Sequence, residues 1–326
     1  MAIYLEFNDV MFKNIIGVSY VGKPKNNTIM YLSKKIESKL LLLSSIKDSV
    51  IFIEKGINIP NNIKKNNIII ISNNPVNSYT NAVASFYERI LQNNRKRQIN
   101  ISDKGYFIGE NVKLGKNVNI EPGAFIDHDV EILDNVYIKS GAKIRYGTIV
   151  GRNSIIGENV VIGESAFNTT KDDKGILIMV PCFGKVVIGN NVYIGANTVV
   201  GRGGADDTII GDNVKIDSSV KIGHDVYLHN GVEVIGASII AGYCEIGRNT
   251  VIAANATIKN RLFIGENCYI GMGSVVHHNV KSGLTVSGNP AKSMEQIGRK
   301  MYFDIQLKEL VRMYEKRLTI KSQDIN

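Results

Sequence analysis

The sequence predicts a mainly β protein in which short strands wind into a parallel β-helix, flanked by a small N-terminal α/β domain and a C-terminal α-helix. An aliphatic residue recurs every six positions through the middle of the chain, and this pattern is absent from both ends. A period of six matches neither a helix of 3.6 residues per turn nor an alternating strand. It matches a prism of short strands, with one aliphatic side chain per unit inside and small or polar residues at the corners.

The repeat comprises 25 units in three runs, which start with the units of Ile108, Ile188 and Ile210. If three units make one coil, they give about eight coils, and a strand spacing of roughly 4.8 Å gives a prism about 38 Å tall. The frame breaks at 163–187 and 201–209. Loops on a rigid scaffold often carry functional residues, so we expect substrate contacts from Phe167 and Asp207. Tolerated surface insertions are the alternative.

We expect three domains, at residues 1–100, 101–291 and 292–326. The N-terminal part is expected to hold nucleotide or substrate, with strands near Val50–Ile53 and Ile68–Ile71. One helix should begin at a cap on Asn77 or Ser78 and end near Leu91, because Tyr79, Val83, Phe86 and Ile90 lie on one helical face. The polar and basic stretch Gln92–Asn100 is expected to be a linker.

The end of the chain predicts a helix from about Met294 to Leu318. Phe303, Leu307, Leu310 and Tyr314 are spaced by four, three and four residues, which places them on one face of a helix. Such an apolar stripe is expected to pack against the last coil or against a symmetry-related copy of the chain.

The net charge of +9 is unevenly distributed along the 326 residues. It is +8 over residues 1–104, −2 over 105–291 and +3 over 292–326. No nucleic-acid-binding motif accompanies this charge, so we expect no nucleic-acid partner. Basic ends around a neutral middle favour small phosphates or an acidic carrier, although solvated lysines would give the same composition.

Other classes of protein are excluded by composition. Three scattered cysteines do not form a disulfide framework, and no apolar run is long enough to span a membrane. The first residues lack the pattern of a signal peptide, so we expect a cytoplasmic protein. No metal-ligand spacing and no Gly-rich phosphate loop is found, so neither a metal nor a permanently bound cofactor is expected.

The candidate reactive group is His224, in the segment KIGHDV. It occupies the third position of its unit, on an outward corner, and Gly242, Asn260 and His278 follow at intervals of 18 residues. A histidine with a backbone N–H one coil above it could serve acyl transfer, as general base and oxyanion donor. A plain surface histidine is the alternative. Asp225, the next residue, is an expected substrate contact.

The chain resembles, over nearly its whole length, the UDP-3-O-acylglucosamine N-acyltransferases of lipid A synthesis. The resemblance rests on five segments: IIGVSYVGKPKNNTIMYL, NPVNSYTNAVASFYERIL, GKVVIGNNVYIGANTVVGRGGADDTIIGDNVKID, VKIGHDVYL and ASIIAGYCEIGR. It implies a left-handed β-helix, a homotrimer with its sites between subunits, and an N-terminal domain that binds the nucleotide. It also implies that His224 is the catalytic base and that Gly242 is the oxyanion donor.

Several positions depart from this family. Its uracil-binding aromatic pair and asparagine align with Met30, Ile36 and Ser33, a second family histidine with Arg261, and a family aspartate with Gly201. The long loop reads AFN where the family has GFG. The uridine clamp of the family is therefore missing, which favours a substrate other than the lipid A precursor.

The segment VSGNPAKSM resembles the ending of acetyl-coenzyme A-dependent sugar acetyltransferases of the same fold, and IGHDV resembles a segment of enzymes acting on nucleotide-linked amino sugars. This resemblance places Lys292 near the cofactor phosphates. The pantetheine arm would then pass Asn260 and Arg261 toward His278 and Lys292.

We therefore expect an N-acyltransferase that moves an acetyl or other short acyl group from coenzyme A to a nucleotide-linked amino sugar for a surface glycan. One alternative is a lipid A N-acyltransferase with acyl carrier protein as donor, which the basic terminal helix (Arg299, Lys300, Lys308, Arg312) would suit. O-acylation would use the same base. A non-catalytic β-helix scaffold is the alternative of a different class.

Overall fold

The structure is a computed structural model that describes residues 14–171 and 175–323. Its N-terminal part is a four-stranded parallel sheet in the order β1-β2-β3-β4, with helices packed around it. The strands are β1 (Gly17–Val18), β2 (Thr28–Leu32), β3 (Val50–Glu54) and β4 (Ile68–Ser72). The helices are a 3-10 helix (Lys34–Ser45), α1 (Asn61–Asn66) and α2 (Pro75–Arg95). Both strands expected here are therefore present.

Helix α2 differs from its prediction at both ends. It begins at Pro75, whose fixed φ suits the first turn of a helix, and its cap is Asn74 rather than Asn77 or Ser78. The Asn74 Oδ1 atom accepts the Asn77 backbone N–H at 3.2 Å. The face with Val83 and Phe86 is buried against the sheet, as its spacing predicts.

The segment expected to be a linker is fixed in place. Helix α2 continues to Arg95, and the guanidinium of Arg97 binds both oxygens of Asp129 on the β-helix, one of them at 3.1 Å. Arg97 also contacts the Glu110 carboxylate at 3.3 Å. The stretch expected to be a linker therefore anchors the N-terminal domain to the first coils of the β-helix.

The middle of the chain forms a three-sided prism of parallel strands. We call its sides face 1, face 2 and face 3. Face 1 contains Phe107–Ile108, Phe125–Ile126, Lys143–Ile144, Val161–Glu164, Val199–Gly201, Lys221–Ile222, Ile239–Ile240, Thr257–Ile258 and Val275–Val276, preceded by antiparallel Asn100–Ile101. Face 2 contains Lys113–Leu114, Glu131–Ile132, Ile149–Val150, Val186–Ile188, Thr208–Ile210, Tyr227–Leu228, Glu245–Ile246 and Phe263–Ile264. Face 3 contains Asn119–Ile120, Tyr137–Ile138, Ile155–Ile156, Tyr193–Ile194, Lys215–Ile216, Glu233–Val234, Val251–Ile252, Tyr269–Ile270 and Thr285–Ser287, followed by antiparallel Lys292–Ser293.

The six-residue frame has a simple physical cause. The aliphatic residue that opens each unit points into the prism, and most of these side chains are fully buried in one continuous core. The fourth residue of most units has a positive φ near 55–60°, as at Asn117, Asn135 and Asn153. Asparagine tolerates this left-handed conformation. Along this corner, the asparagine side chains of successive coils also form a ladder of hydrogen bonds at 3.1 Å.

Both expected insertions leave the prism. The first carries an antiparallel hairpin, Thr169–Lys171 with Leu177–Met179, and the second is the segment 201–209. Past the last coil, helix α3 (Met294–Gln323) starts with a capping box, in which Ser293 and Gln296 exchange side-chain bonds with each other's backbone N–H at 3.1 and 3.0 Å. Its stripe residues Phe303, Leu307 and Leu310 are exposed within this single chain. The side chain of Tyr314 lies outside the described residues.

Candidate active site

The predicted column is present on the corner that follows face 1. Strand register pairs Ile222 with Ile240, Ile240 with Ile258 and Ile258 with Val276. Each third-position residue therefore stands one coil above the last, in the order His224, Gly242, Asn260 and His278. The 18-residue coil alone fixes this arrangement.

The His224 side chain is oriented by its neighbour Asp225. Its Nδ1 lies 2.7 Å from Oδ2 of Asp225, and the imidazole is 19% exposed whereas the carboxylate is 4% exposed. A carboxylate partner selects the tautomer with the proton on Nδ1, which leaves Nε2 free to accept a proton. The pair thus has the arrangement of a general base and its orienting acid.

Asp225 makes all its hydrogen bonds inside the protein. The backbone N–H of Gly204 donates to Oδ2 at 2.8 Å, while that of Asp206 and the hydroxyl of Tyr20 donate to Oδ1 at 3.2 Å. The carboxylate is buried and bonded to protein groups, and a substrate contact by Asp225 stays a prediction. Its position is that of a support for His224.

The second insertion supplies two of those donors. A Cβ atom on Gly203 would stand 1.6 Å from the Asp206 carbonyl oxygen, and one on Gly184 would stand 1.9 Å from the same atom. Only glycine allows the segment to fold so tightly. The insertion at 201–209 therefore builds part of the site and is more than a tolerated loop.

Gly242 lies against the reactive edge of the imidazole. Its N–H donates no hydrogen bond within the described part of the chain, while its carbonyl accepts the Arg261 N–H at 3.0 Å. A free backbone N–H beside Nε2 is the donor that an oxyanion requires. The base and this donor are adjacent because their residues are separated by one coil.

An aromatic group that the sequence did not reveal completes the site. The Tyr243 ring meets the His224 ring edge-on at 4.8 Å, and the Arg261 guanidinium lies 4.3 Å above the Tyr243 ring. The Tyr20 hydroxyl lies 2.7 Å from that of Tyr243. Burial raises the pKa of both Tyr20 and Tyr243. Tyr243 has a φ of +62° at a position usually held by Asn, Asp or Gly, and this departure was the available signal.

The remaining predicted residues form none of the contacts to the imidazole described above. Asn260, His278 and Lys292 are exposed, and so is Arg261. Phe167, in the first insertion, is 88% exposed. Asp207 accepts the Lys185 backbone N–H at 2.9 Å, which ties the two insertions together.

A second His-Asp pair occupies equivalent positions in the repeat but makes different hydrogen bonds. His128 and Asp129 occupy the same corner and the same unit positions as His224 and Asp225, four coils earlier on face 1. His128 is 5% exposed, and its Nδ1 accepts the Glu110 N–H at 2.9 Å. Asp129 binds Arg97 instead of the histidine. This pair is structural, and it provides a matched control for the first.

The described part of the chain contains no group of three His, Cys, Asp or Glu side chains able to hold a metal ion. Cys182, Cys244 and Cys268 are free and buried, and burial raises the pKa of the Cys182 and Cys244 thiols. Within the same ranges, no helix has the length and hydropathy needed to cross a bilayer.

Comparison with known proteins defines the class. The family model "Bacterial transferase hexapeptide (six repeats)" matches residues 129–164, and "Hexapeptide repeat of succinyl-transferase" matches residues 185–218. A UDP-N-acetylglucosamine acyltransferase structure from Campylobacter jejuni is 28% identical with a TM-score of 0.54, over 60% of this chain and 73% of that one. One from Bacteroides fragilis is 27% identical with a TM-score of 0.53, over 62% and 78%. The chain is a hexapeptide-repeat protein with a left-handed parallel β-helix.

Its curated relatives include the UDP-3-O-acylglucosamine N-acyltransferase of Coxiella burnetii, which is 33% identical over 147 residues. That alignment covers 45% of this chain and 43% of the relative. The aligned part thus spans less than half the length of the curated relatives that the chain matches. The resemblance inferred from the sequence is confirmed over this part.

Proposed function

We propose that the protein is an acyltransferase that moves an acyl group from a thioester to the amine of a UDP-linked glucosamine derivative. The observation that carries this proposal is the geometry at one corner of the prism. There the oriented Nε2 of His224 lies beside the unoccupied backbone N–H of Gly242. The names of the similar proteins, which are acyltransferases of UDP-sugars, support the choice of acceptor.

The chemistry follows from the two nitrogen atoms. The substrate amine attacks the thioester carbonyl carbon, and Nε2 of His224 takes the proton that the amine loses. The negative charge on the former carbonyl oxygen is stabilised by the Gly242 N–H. When the tetrahedral intermediate collapses, the carbon–sulfur bond breaks, and the imidazolium returns the proton to the departing thiolate. Asp225 stabilises the imidazolium without being protonated itself.

We place the donor above Gly242 along the same corner. Asn260, Arg261 and His278 are exposed on successive coils and leave a path for a pantetheine arm. Lys292 follows Ala291, whose N–H donates to the Val275 carbonyl of face 1 at 2.8 Å. We propose that Lys292 lies at the end of this path, where its ammonium group would bind the donor phosphate.

We propose acyl carrier protein as the first candidate donor. The curated relatives are N-acyltransferases of UDP-3-O-acylglucosamine, and helix α3 presents basic residues to an acidic partner. Among them, Arg299 is paired with Glu295 at 2.5 Å, whereas Lys300, Lys308 and Arg312 are exposed. Phe167 and Asp207, in the two insertions, remain candidates for the acceptor side of the site.

A short acyl group from coenzyme A, transferred to another nucleotide-linked amino sugar for a surface glycan, is the second candidate. The observation that favours it lies in the N-terminal domain. Met30, at the position of an expected uracil contact, is fully buried in the domain core with Leu32 and Ile51. A side chain in that position contacts no nucleotide, so this domain would recognise a different group.

We further propose that the chain acts as a homotrimer in the cytoplasm. The apolar stripe of helix α3 (Phe303, Leu307, Leu310) has no cover within the single chain, and exposed aromatic residues line face 3, as at Tyr193 and Tyr269. Threefold assembly would bury both surfaces and set each His224 corner beside a neighbouring subunit. The three free cysteines suit a reducing compartment.

The test is a donor and acceptor panel. Purified protein is incubated with acyl carrier protein and coenzyme A thioesters of several chain lengths, each with UDP-linked amino sugars carrying or lacking a 3-O-acyl group. Mass spectrometry should show an amide product, and the preferred donor selects between the two candidates. Absence of product from every pair would favour a non-catalytic scaffold.

A further inference from the structure

Among residues 14–100, the N-terminal residue with a hydrogen bond to the His224–Asp225 pair is Tyr20. Tyr20 follows strand β1, and its backbone is held in a turn in which its carbonyl accepts the Lys23 N–H at 2.9 Å. Its hydroxyl extends to the β-helix, where it donates to Asp225 Oδ1 at 3.2 Å and lies 2.7 Å from the Tyr243 hydroxyl. The two residues that Tyr20 binds are more than 200 positions away in the sequence.

The direction of these hydrogen bonds is fixed by the number of protons. A carboxylate only accepts hydrogen bonds, so the single O–H of Tyr20 donates to Asp225. Tyr243 must then donate its own proton to the Tyr20 oxygen. Burial raises the pKa of both tyrosines, so both hydroxyls stay protonated and the chain of donors persists at physiological pH.

The contact is geometrically confined. Tyr20 packs with Ala205 in the core that joins the N-terminal domain to the second insertion, and its ring meets the Tyr243 ring edge-on at 5.9 Å. Beside it, Lys25 binds Asp206 across the same boundary at 2.8 Å. Tyr20 is therefore placed by packing, and its hydroxyl can reach Asp225 without freedom to turn away.

We infer that Tyr20 is a positioning residue for the acyl transfer proposed above. It holds the Asp225 carboxylate in the orientation that keeps the proton on Nδ1 of His224 and leaves Nε2 as the base. Without this bond, Oδ1 retains only the Asp206 N–H, and the carboxylate is freer to rotate away from the imidazole. The N-terminal domain would thus be part of the catalytic apparatus whatever ligand it binds.

The test is Tyr20→Phe, which keeps the ring and removes the hydroxyl. The matched control is Lys25→Ala, which breaks the neighbouring contact across the same boundary and leaves the Tyr20 bond intact. Two readouts are compared in the full-length protein. The first is the imidazole ¹⁵N spectrum of His224, assigned by its loss in His224→Gln, which reports the tautomer. The second is kcat and KM for acyl transfer.

We expect Tyr20→Phe to shift His224 from the Nδ1–H form toward a mixture of tautomers. It should lower kcat by about tenfold, the equivalent of one hydrogen bond to a charged group, with KM within about twofold of wild type. Lys25→Ala should change neither readout. An unchanged tautomer in Tyr20→Phe, or equal changes in both variants, would overturn the inference.

The two proposals fail in different ways. If the wild-type protein transfers no acyl group but Tyr20→Phe alone alters the His224 tautomer, the proposed function is wrong and the positioning role stands. If the wild type is active and Tyr20→Phe matches it in both tautomer and kcat, the function stands and the role of Tyr20 is wrong.

Discussion

The Nε2 atom of His224 lies 2.6 Å from the point where a Cβ atom on residue 242 would stand, so the imidazole and Gly242 fit together only because Gly242 has no side chain. The backbone φ of Gly242 is not in the left-handed region, so the requirement comes from space alone. The same closeness places the Gly242 N–H beside the base.

Gly242→Ala should fold and lose activity. The added methyl group would displace the imidazole from the amide that it faces, and misplacement of a catalytic group by about 1 Å costs roughly 10²-fold in rate. Steady-state kcat and thermal unfolding should be measured together. Gly17→Ala is the control, because a Cβ there meets nothing within 4 Å. Wild-type turnover in Gly242→Ala would contradict the inference that activity requires the imidazole to lie against residue 242.

His224→Ala should reduce kcat/KM by about 10²–10⁴-fold, the usual contribution of a general base, with little change in stability. His128→Ala is its counterpart in the lower coils. That variant leaves the Glu110 N–H without its buried acceptor, so it should keep activity and lose about 1–3 kcal/mol of unfolding free energy. Urea titration and initial rates separate the two effects. Equal loss of activity in both variants would count against a specific role for His224.

The Arg97–Asp129 pair should make the free energy of unfolding depend on pH in the acidic range. The Arg97 guanidinium holds the pKa of Asp129 below its ordinary value, so this stabilisation is complete above the unfolded-state pKa of about 3.9. It is lost as the pH falls through the lower folded-state pKa. In Arg97→Ala, the deficit in unfolding free energy relative to wild type should therefore be largest near pH 6 and shrink toward pH 2.

The control for this titration is Lys113→Ala, which removes an exposed contact of 3.8 Å with Glu131 in the same region. Its unfolding free energy should run parallel to that of wild type across the range, because an exposed pair contributes little. Urea unfolding at half-unit pH steps provides the measurement. A constant deficit for Arg97→Ala at every pH would show that Arg97 stabilises by packing alone.

Substitutions in the asparagine ladder should separate the stability that comes from the side-chain hydrogen bonds from the cost of backbone strain. Asn135 has a φ of +59° and bonds to Asn117 below and Asn153 above, each at 3.1 Å. Asn135→Gly loses the bonds but tolerates the backbone, whereas Asn135→Ala loses both and should be less stable by about a further 1 kcal/mol. Differential unfolding in urea tests this order. An Asn135→Ala variant that is as stable as Asn135→Gly, or more stable, would contradict this order.

The repeat made much of this molecule predictable from sequence. The period of six predicts the strands. Three units per coil predict that Gly242 stands one coil above His224. The supports of Asp225 were beyond such reasoning, because Tyr20, Gly204 and Asp206 approach it through docking of separate segments. The same limit applies to His128, since the sequence His-Asp-Val at both sites is accompanied by different hydrogen bonds where the neighbouring residues differ.

The hydrogen bonds that Asp225 accepts from two separate segments, the N-terminal domain and the second insertion, have a consequence for how the molecule matures. Residue 20 leaves the ribosome long before residue 225, and the coils between them can wind without help from either end. The Asp225 carboxylate therefore has its full set of hydrogen bonds only when the N-terminal domain is docked on the second insertion. If the proposed acyl transfer depends on this docking, heating should reduce activity by loosening the domain boundary before the prism itself unwinds.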